Sequence, residues 1–261
     1  MFFVHGRNFH TIVPDVARTV LRDSRPMSDL VAANEPAMMK IGSPEEAVAF
    51  WPELDDNPFT TLTSALDALL LWNEDDAARV RDLRAVSAFA GKTSLVMPFI
   101  DSDGRVGIHM SAVALNVLSQ GCYITTVLLQ KYIAALLGRR VGKFFATATM
   151  WFADAKAAAR IVPLITEFPA GGGPYDDGVV AHSVVDVAPD RWLAELRMFA
   201  SEGPALGYES GFIRRVALPM RAAWRAYDNT PSRAGEAAKL LAGNYDWLVA
   251  GRAWLERRRR G

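Results

Sequence analysis

The chain has 261 residues, 51% of them hydrophobic, and sets 29 lysines and arginines against 29 aspartates and glutamates. That length is expected to bury one sizeable core, with residues 1–261 forming a single domain, and the balanced charge supplies no global field to hold a nucleic acid or an anionic membrane. A single cysteine, Cys122, excludes an internal disulfide or a cysteine-based zinc cluster, and the amino terminus lacks the pattern of a signal peptide, so the setting reads as cytosolic.

In chain order, residues 8–23 place Ile12, Val16, Val20 and Leu21 near one helical face, and the helix should end near Arg25-Pro26. MMKIGSP (38–44) reads as a short strand closed by Gly and Pro, and PFTTLTSALDALLLW (58–72) as a helix by its leucine spacing. A charged connector follows over 73–84. TSLVMPFI (93–100), DSDG (101–104) and RVGIHM (105–110) predict a β-hairpin with a tight turn.

Residues 106–130 contain no Asp, Glu, Lys or Arg, but Ser111, Asn116, Gln120 and Thr126 give them a polar load that a lipid-facing span does not carry; they predict buried core. A strongly apolar helix from Ile124 to Leu137 should stop at Gly138, with Arg139 and Arg140 beside its carbonyl end, and should lie across the sheet. Residues 144–152 alternate Phe144, Ala146, Ala148, Met150 and Phe152 against Phe145, Thr147, Thr149 and Trp151, which suits a buried strand. AGGGPYDDG (170–178) reads as a loop. From about Pro189 the chain is helical by pattern, ending in the amphipathic segment 246–260 with its basic tail.

The block 104–145, with Leu129, Gln130, Tyr132, Gly138, Val141 and Gly142, resembles the central block of the thymidylate synthase and pyrimidine-nucleotide hydroxymethylase superfamily, where a hydrophobic helix carries Leu-Gln-x-Tyr into a Val-Gly strand. FWPELDDNPF (50–59) is similar to a phage-type hydroxymethylase run that precedes a helix, and 218–258 is similar to the carboxyl-terminal helices of that branch. The resemblance implies an α/β (α+β) thymidylate synthase-like fold of three layers, with a mixed β-sheet and a buried central helix. It also implies a dimer formed back to back through the sheet, on the face of Thr147, Thr149 and Trp151.

The superfamily reaction adds a one-carbon unit from methylenetetrahydrofolate to C5 of a pyrimidine nucleotide. It needs a thiolate at C6, arginines on the phosphate, polar groups on base and ribose, and a carboxylate that manages protons. Matched on Asp103-Gly104, the nucleophilic cysteine falls on Thr93, whose hydroxyl is far less acidic than a thiol. The Arg-Ser-Asn-Asp motif becomes Met110-Ser111-Ala112-Val113, the base-reading asparagine falls on Cys122, the ribose pair on Phe152 and Asp154, and the catalytic glutamate on Ser64. Arg25 falls at an amino-terminal phosphate arginine, so the resemblance leaves Arg25 and Ser111 as nucleotide-binding candidates and Cys122 as a possible relocated thiol.

Each candidate has a plainer reading. A buried free cysteine usually packs as a small apolar group, and a loop arginine is usually only solvated. His5, His10, His109 and His182 show no paired spacing for a metal, and GGGP (171–174) lacks the rest of a phosphate loop. Arg257 to Arg260 suit a helix end, and the tryptophans form no base-stacking ladder. Two functions remain: a non-catalytic dimerising subunit, paired with itself or with an active paralogue and linked to pyrimidine-nucleotide and DNA-base modification, or a divergent folate-dependent C5 methyl- or hydroxymethyltransferase.

Overall fold

A computed structural model describes residues 2–6, 9–23, 25–27, 29–33, 36–42, 57–71, 88–89, 94–167, 183–201 and 207–260. The strands are β1 (Phe2–Gly6), β2 (Arg25–Met27), β3 (Leu30–Ala33), β4 (Ala37–Ile41), β5 (Ala88–Phe89), β6 (Ser94–Ile100), β7 (Val106–Asn116) and β8 (Val141–Asp154). The helices are α1 (Phe9–Asp23), α2 (Pro58–Leu70), α3 (Gln120–Leu136), α4 (Ala155–Glu167), α5 (Pro189–Ala200), α6 (Leu218–Asn229), α7 (Ala234–Lys239) and α8 (Asp246–Arg260).

The eight strands form one mixed sheet in the order β1-β4-β8-β7-β6-β5, with β3 joined to the far end of β8 and β2 to β3. The pairs β1–β4 and β7–β8 are parallel; the others are antiparallel. α3 packs on β6, β7 and β8 and is covered in turn by α2 and α5, and α2 carries α6 and α8 on its outer side. Sheet, buried helix and outer helices are the three layers that the resemblance implies.

Local chemistry explains the boundaries. Asn57 caps α2, its side chain accepting from the Phe59 and Thr60 N–H groups, with Pro58 in the first turn where no N–H is needed. Asp101 Oδ1 accepts from the backbone N–H of Asp103 at 3.0 Å and of Arg105 at 2.9 Å, closing the hairpin turn, and Gly104 takes φ +73 there. α3 ends as the sequence predicts: Gly138 has φ +60, its N–H donates to Ala135 O and the Arg139 N–H donates to Ala134 O, the Schellman arrangement.

Several expectations change. β7 runs on to Asn116, beyond the six residues expected, and α3 begins at Gln120 rather than Ile124. Gly121 lies inside α3 against Thr61 of α2, where a Cβ would approach Thr61 Oγ1 to 3.4 Å. β8 is buried on one face, not both: Phe144, Ala146 and Ala148 pack on the core, whereas Thr149 is exposed. The open face does not include Trp151, which is 1% exposed; past Thr149 the partner of β8 changes from β4 to β3, and Leu115 beside Trp151 is buried too. β1, β2, β3 and α4 escape the sequence reading, α4 because Pro163 interrupts its pattern although Asp154 caps it by accepting from the Ala157 N–H at 2.7 Å. The connector 73–84 and the loop 170–178 lie outside the described residues.

Among the described residues no helix is long and apolar enough to cross a membrane.

Candidate functional site

The matched residues lie around the amino-terminal end of α3. Strand alternation turns Met110 toward the helix and Ser111 to the opposite, open face, where its neighbours across the sheet are Leu95 and Thr147. Cys122 Sγ lies 3.4 Å from Met110 Sδ, and Thr126 Oγ1 donates to Cys122 O at 2.9 Å and lies 3.6 Å from the same thioether. The thiol is therefore built into the contact between α3 and β7, half-buried. Met110, in place of the motif's arginine, is fully buried; a guanidinium there would need partners that this wall does not supply.

Tyr123 faces the sheet, its ring edge-on to Phe144 and its hydroxyl 3.4 Å from Asn116 O and 3.8 Å from Met39 Sδ. Burial, and then the neighbouring Cys122, pushes its pKa well above the ordinary 10.0, so it stays a neutral phenol. The apolar space beside it, between Ile12, Val16, Met39, Ile41 and Phe144, is about 10 Å³. That is at the lower limit for a single water, against several hundred Å³ for an organic ligand.

The other candidates do not converge. Arg25 is exposed on β2, opposite Ala32 of β3, which lies opposite Phe152 of β8 and, one strand further, Asn116 of β7. Three strand spacings across and five residues along separate it from Ser111, about 20 Å. Ser64 is exposed on α2, one turn beyond the Thr61–Gly121 contact. Thr93 lies outside the described residues. Among those residues no group of His, Cys, Asp and Glu could hold a metal ion.

The motif residues Gln130 and Tyr132 are structural. Gln130 is fully buried and its Nε2 donates to the carbonyls of Val106 at 2.8 Å, Gly142 at 3.1 Å and Lys143 at 3.3 Å, tying α3 to the starts of β7 and β8. Tyr132 packs against Trp192 of α5, the ring centroids 5.6 Å apart and the planes tilted by 36°. Gly142 is required because a Cβ would come within 2.9 Å of Asp101 Oδ2 and 3.2 Å of Gly107 N.

The open face carries a feature that sequence reasoning placed only in part. Register sets His5, Lys40, Phe145, His109 and Met97 in one row across five strands. Met97 is 37%, Phe99 36% and Val113 76% exposed. His109 Nε2 lies 2.9 Å from Thr147 Oγ1, and desolvation lowers the imidazole pKa below 6.5. The signal available in sequence was the period-2 alternation of 94–100 and 106–113, which fixes faces but not the row.

No family model matches the chain. It is 30% identical over 217 residues to the deoxyuridylate hydroxymethyltransferase of Pseudomonas phage M6, a match that takes in 74% of this chain and 61% of that relative, so the chain spans about three fifths of the relative's length. Among solved structures it is similar to thermostable thymidylate synthase A from Bacillus subtilis, with a TM-score of 0.38, 8% identity and coverage of 59% of this chain and 81% of that one.

Proposed function

Because the chain belongs to the thymidylate synthase and pyrimidine-nucleotide hydroxymethylase superfamily, in its phage branch, we propose that it serves there as a non-catalytic, dimerising subunit linked to pyrimidine-nucleotide and DNA-base modification. The observation that carries this reading is the Met110–Cys122 contact of 3.4 Å, which replaces a phosphate-binding arginine and a base-reading asparagine with two packed sulfurs. The apolar space beside the neighbouring Tyr123, about 10 Å³, is likewise too small for a nucleotide or methylenetetrahydrofolate. The open row of Met97, His109 and Phe145, flanked by Phe99, supports the dimer: exposed aromatic surface on a sheet face usually signals an interface. Its occupant is a second copy or an active relative.

A second reading is favoured by the 30% identity to a deoxyuridylate hydroxymethyltransferase. In it the chain is a divergent enzyme that transfers a one-carbon unit to C5 of a pyrimidine nucleoside monophosphate, with Cys122 as a relocated nucleophile. The two readings part in one experiment. Purified protein, alone and with a co-purified superfamily relative, is incubated with methylenetetrahydrofolate and C5-tritiated deoxyuridylate or deoxycytidylate. The subunit reading expects no tritium release or folate oxidation from the chain alone; turnover that disappears in Cys122→Ala would overturn it. Light scattering tests the assembly, and a stable monomer with no relative recovered from the native source removes the subunit role.

A further inference from the structure

At the other end of α3 from Cys122 lies an open cleft of about 580 Å³, between the last turns of α3, the turn into β8, the start of β7 and residues 183–185. Arg105, Lys131, Arg139 and Arg140 line it, and among the described lining residues there is no carboxylate. Among the described residues Arg105, Arg139 and Arg140 have no acidic partner at ion-pair distance. Arg139 Nη1 donates to Gly104 O at 2.9 Å, which anchors one guanidinium on the hairpin turn while leaving its other donors. The carbonyl end of α3 offers roughly half a negative charge, far less than the three guanidinium groups of Arg105, Arg139 and Arg140 gathered around one space in a chain of zero net charge. Behind the charged rim the lining is apolar, with Val141 and the fully buried Val184.

We propose that this cleft binds a small organic polyphosphate, of the nucleoside di- or triphosphate class. Guanidinium groups recognise phosphoryl oxygens through paired N–H donors, and a cleft lined by one sign of charge concentrates anions. A lone phosphate, at about two negative charges, would leave the three guanidinium groups incompletely neutralised. The volume falls within the range of small-ligand sites, and the apolar lining suits the body of a nucleoside. Nucleic acid would call for cations spread along a stripe that follows successive phosphates, whereas here they converge on one concavity. The site is separate from the Met110–Cys122 ground and does not depend on which reading of that ground holds.

The test is calorimetry on the full chain with thymidine triphosphate, inorganic tripolyphosphate, deoxyuridylate and a 20-mer DNA duplex, in about 0.1 M salt. The triphosphate should bind one per chain with a dissociation constant below about 100 μM. It should bind at least fivefold tighter than tripolyphosphate, because of the apolar wall. Arg105→Gln/Arg140→Gln should weaken it at least tenfold with an unchanged melting temperature, and Arg140→Gln alone should weaken it less. Should the double variant fail to fold, Arg140→Gln decides alone. Unchanged binding in that variant, no binding by the native chain, equal affinity for tripolyphosphate, or tighter binding of the duplex through the same arginines would each overturn the proposal.

Discussion

Glu195 is the most consequential buried charge in the carboxyl-terminal helices. Its side chain is 1% exposed, and its carboxylate accepts from the backbone N–H of Glu209 (Oε1) and of Ser210 (Oε2), each at 2.9 Å, and from Arg191 Nε at 2.9 Å. Ser210 Oγ in turn donates to Asp186 Oδ1 at 2.7 Å and the Phe212 N–H to Asp186 Oδ2 at 2.8 Å, so the two carboxylates together hold residues 209–212 and the segment next to the basic cleft. Glu195→Ala strands two backbone donors, at about 1–3 kcal/mol each, and removes the buried partner of a half-exposed arginine, which adds little; the sum should be about 2–6 kcal/mol. Arg191 is 48% exposed, so its charge is screened and Arg191→Ala should cost no more than about 1 kcal/mol. Glu195→Gln, which keeps one acceptor but turns N–H donors toward another donor, should fall between them. Urea unfolding of the three variants at pH 7, followed by tryptophan fluorescence, gives the differences. A loss below about 1 kcal/mol for Glu195→Ala, or an equal loss for Arg191→Ala, would refute the assignment of the energy to the stranded backbone groups.

Gln130→Leu should destabilise the fold by about 2–3 kcal/mol, because the carbonyls of Val106, Gly142 and Lys143 lose a donor in a dry interior, and amide hydrogen exchange should rise first at the starts of β7 and β8. Cys122→Ala should cost about 1 kcal/mol through the lost Met110 contact, checked by thermal unfolding, with no change in nucleotide binding by calorimetry. His109 has its pKa lowered by desolvation, so the fold favours the neutral ring: its stability is complete above pH 6.5 and falls as the pH drops below that value. His109→Gln should remove that part of the acid destabilisation, measured as the difference in unfolding free energy between pH 7.5 and 5.5; an unchanged difference would count against it. Phe99→Asp on the open face should convert the proposed dimer into monomers by light scattering while leaving the melting of the monomer cooperative, since Phe99 is 36% exposed in the single chain.

The sequence by itself determined most of the central scaffold. Asp101 and Gly104 dictate the hairpin turn, Asn57-Pro58 the start of α2, and Gly138 the end of α3, because each acts on backbone groups within a few residues and needs no distant partner. The buried helix was likewise legible in the uncharged run 106–130, although the same run also supplies β7, where Val113 stands 76% exposed on the open face. Tertiary structure alone decided the neighbours. The alternation of β8 reads the same from Phe144 to Trp151, yet Thr149 is exposed and Trp151 buried, because the strand passes from β4 to β3 between them. Met110 and Cys122 are 12 residues apart and touch only because α3 folds back over β7. In sequence Arg139 and Arg140 read as helix-end residues and Arg105 as the start of a hairpin strand; the parallel pairing of β7 with β8 and the return of residues 183–185 set them with Lys131 around one cleft. A periodic pattern says which face of an element is apolar, but which element lies against that face depends on contacts between distant parts of the chain, and a binding site is made of those contacts.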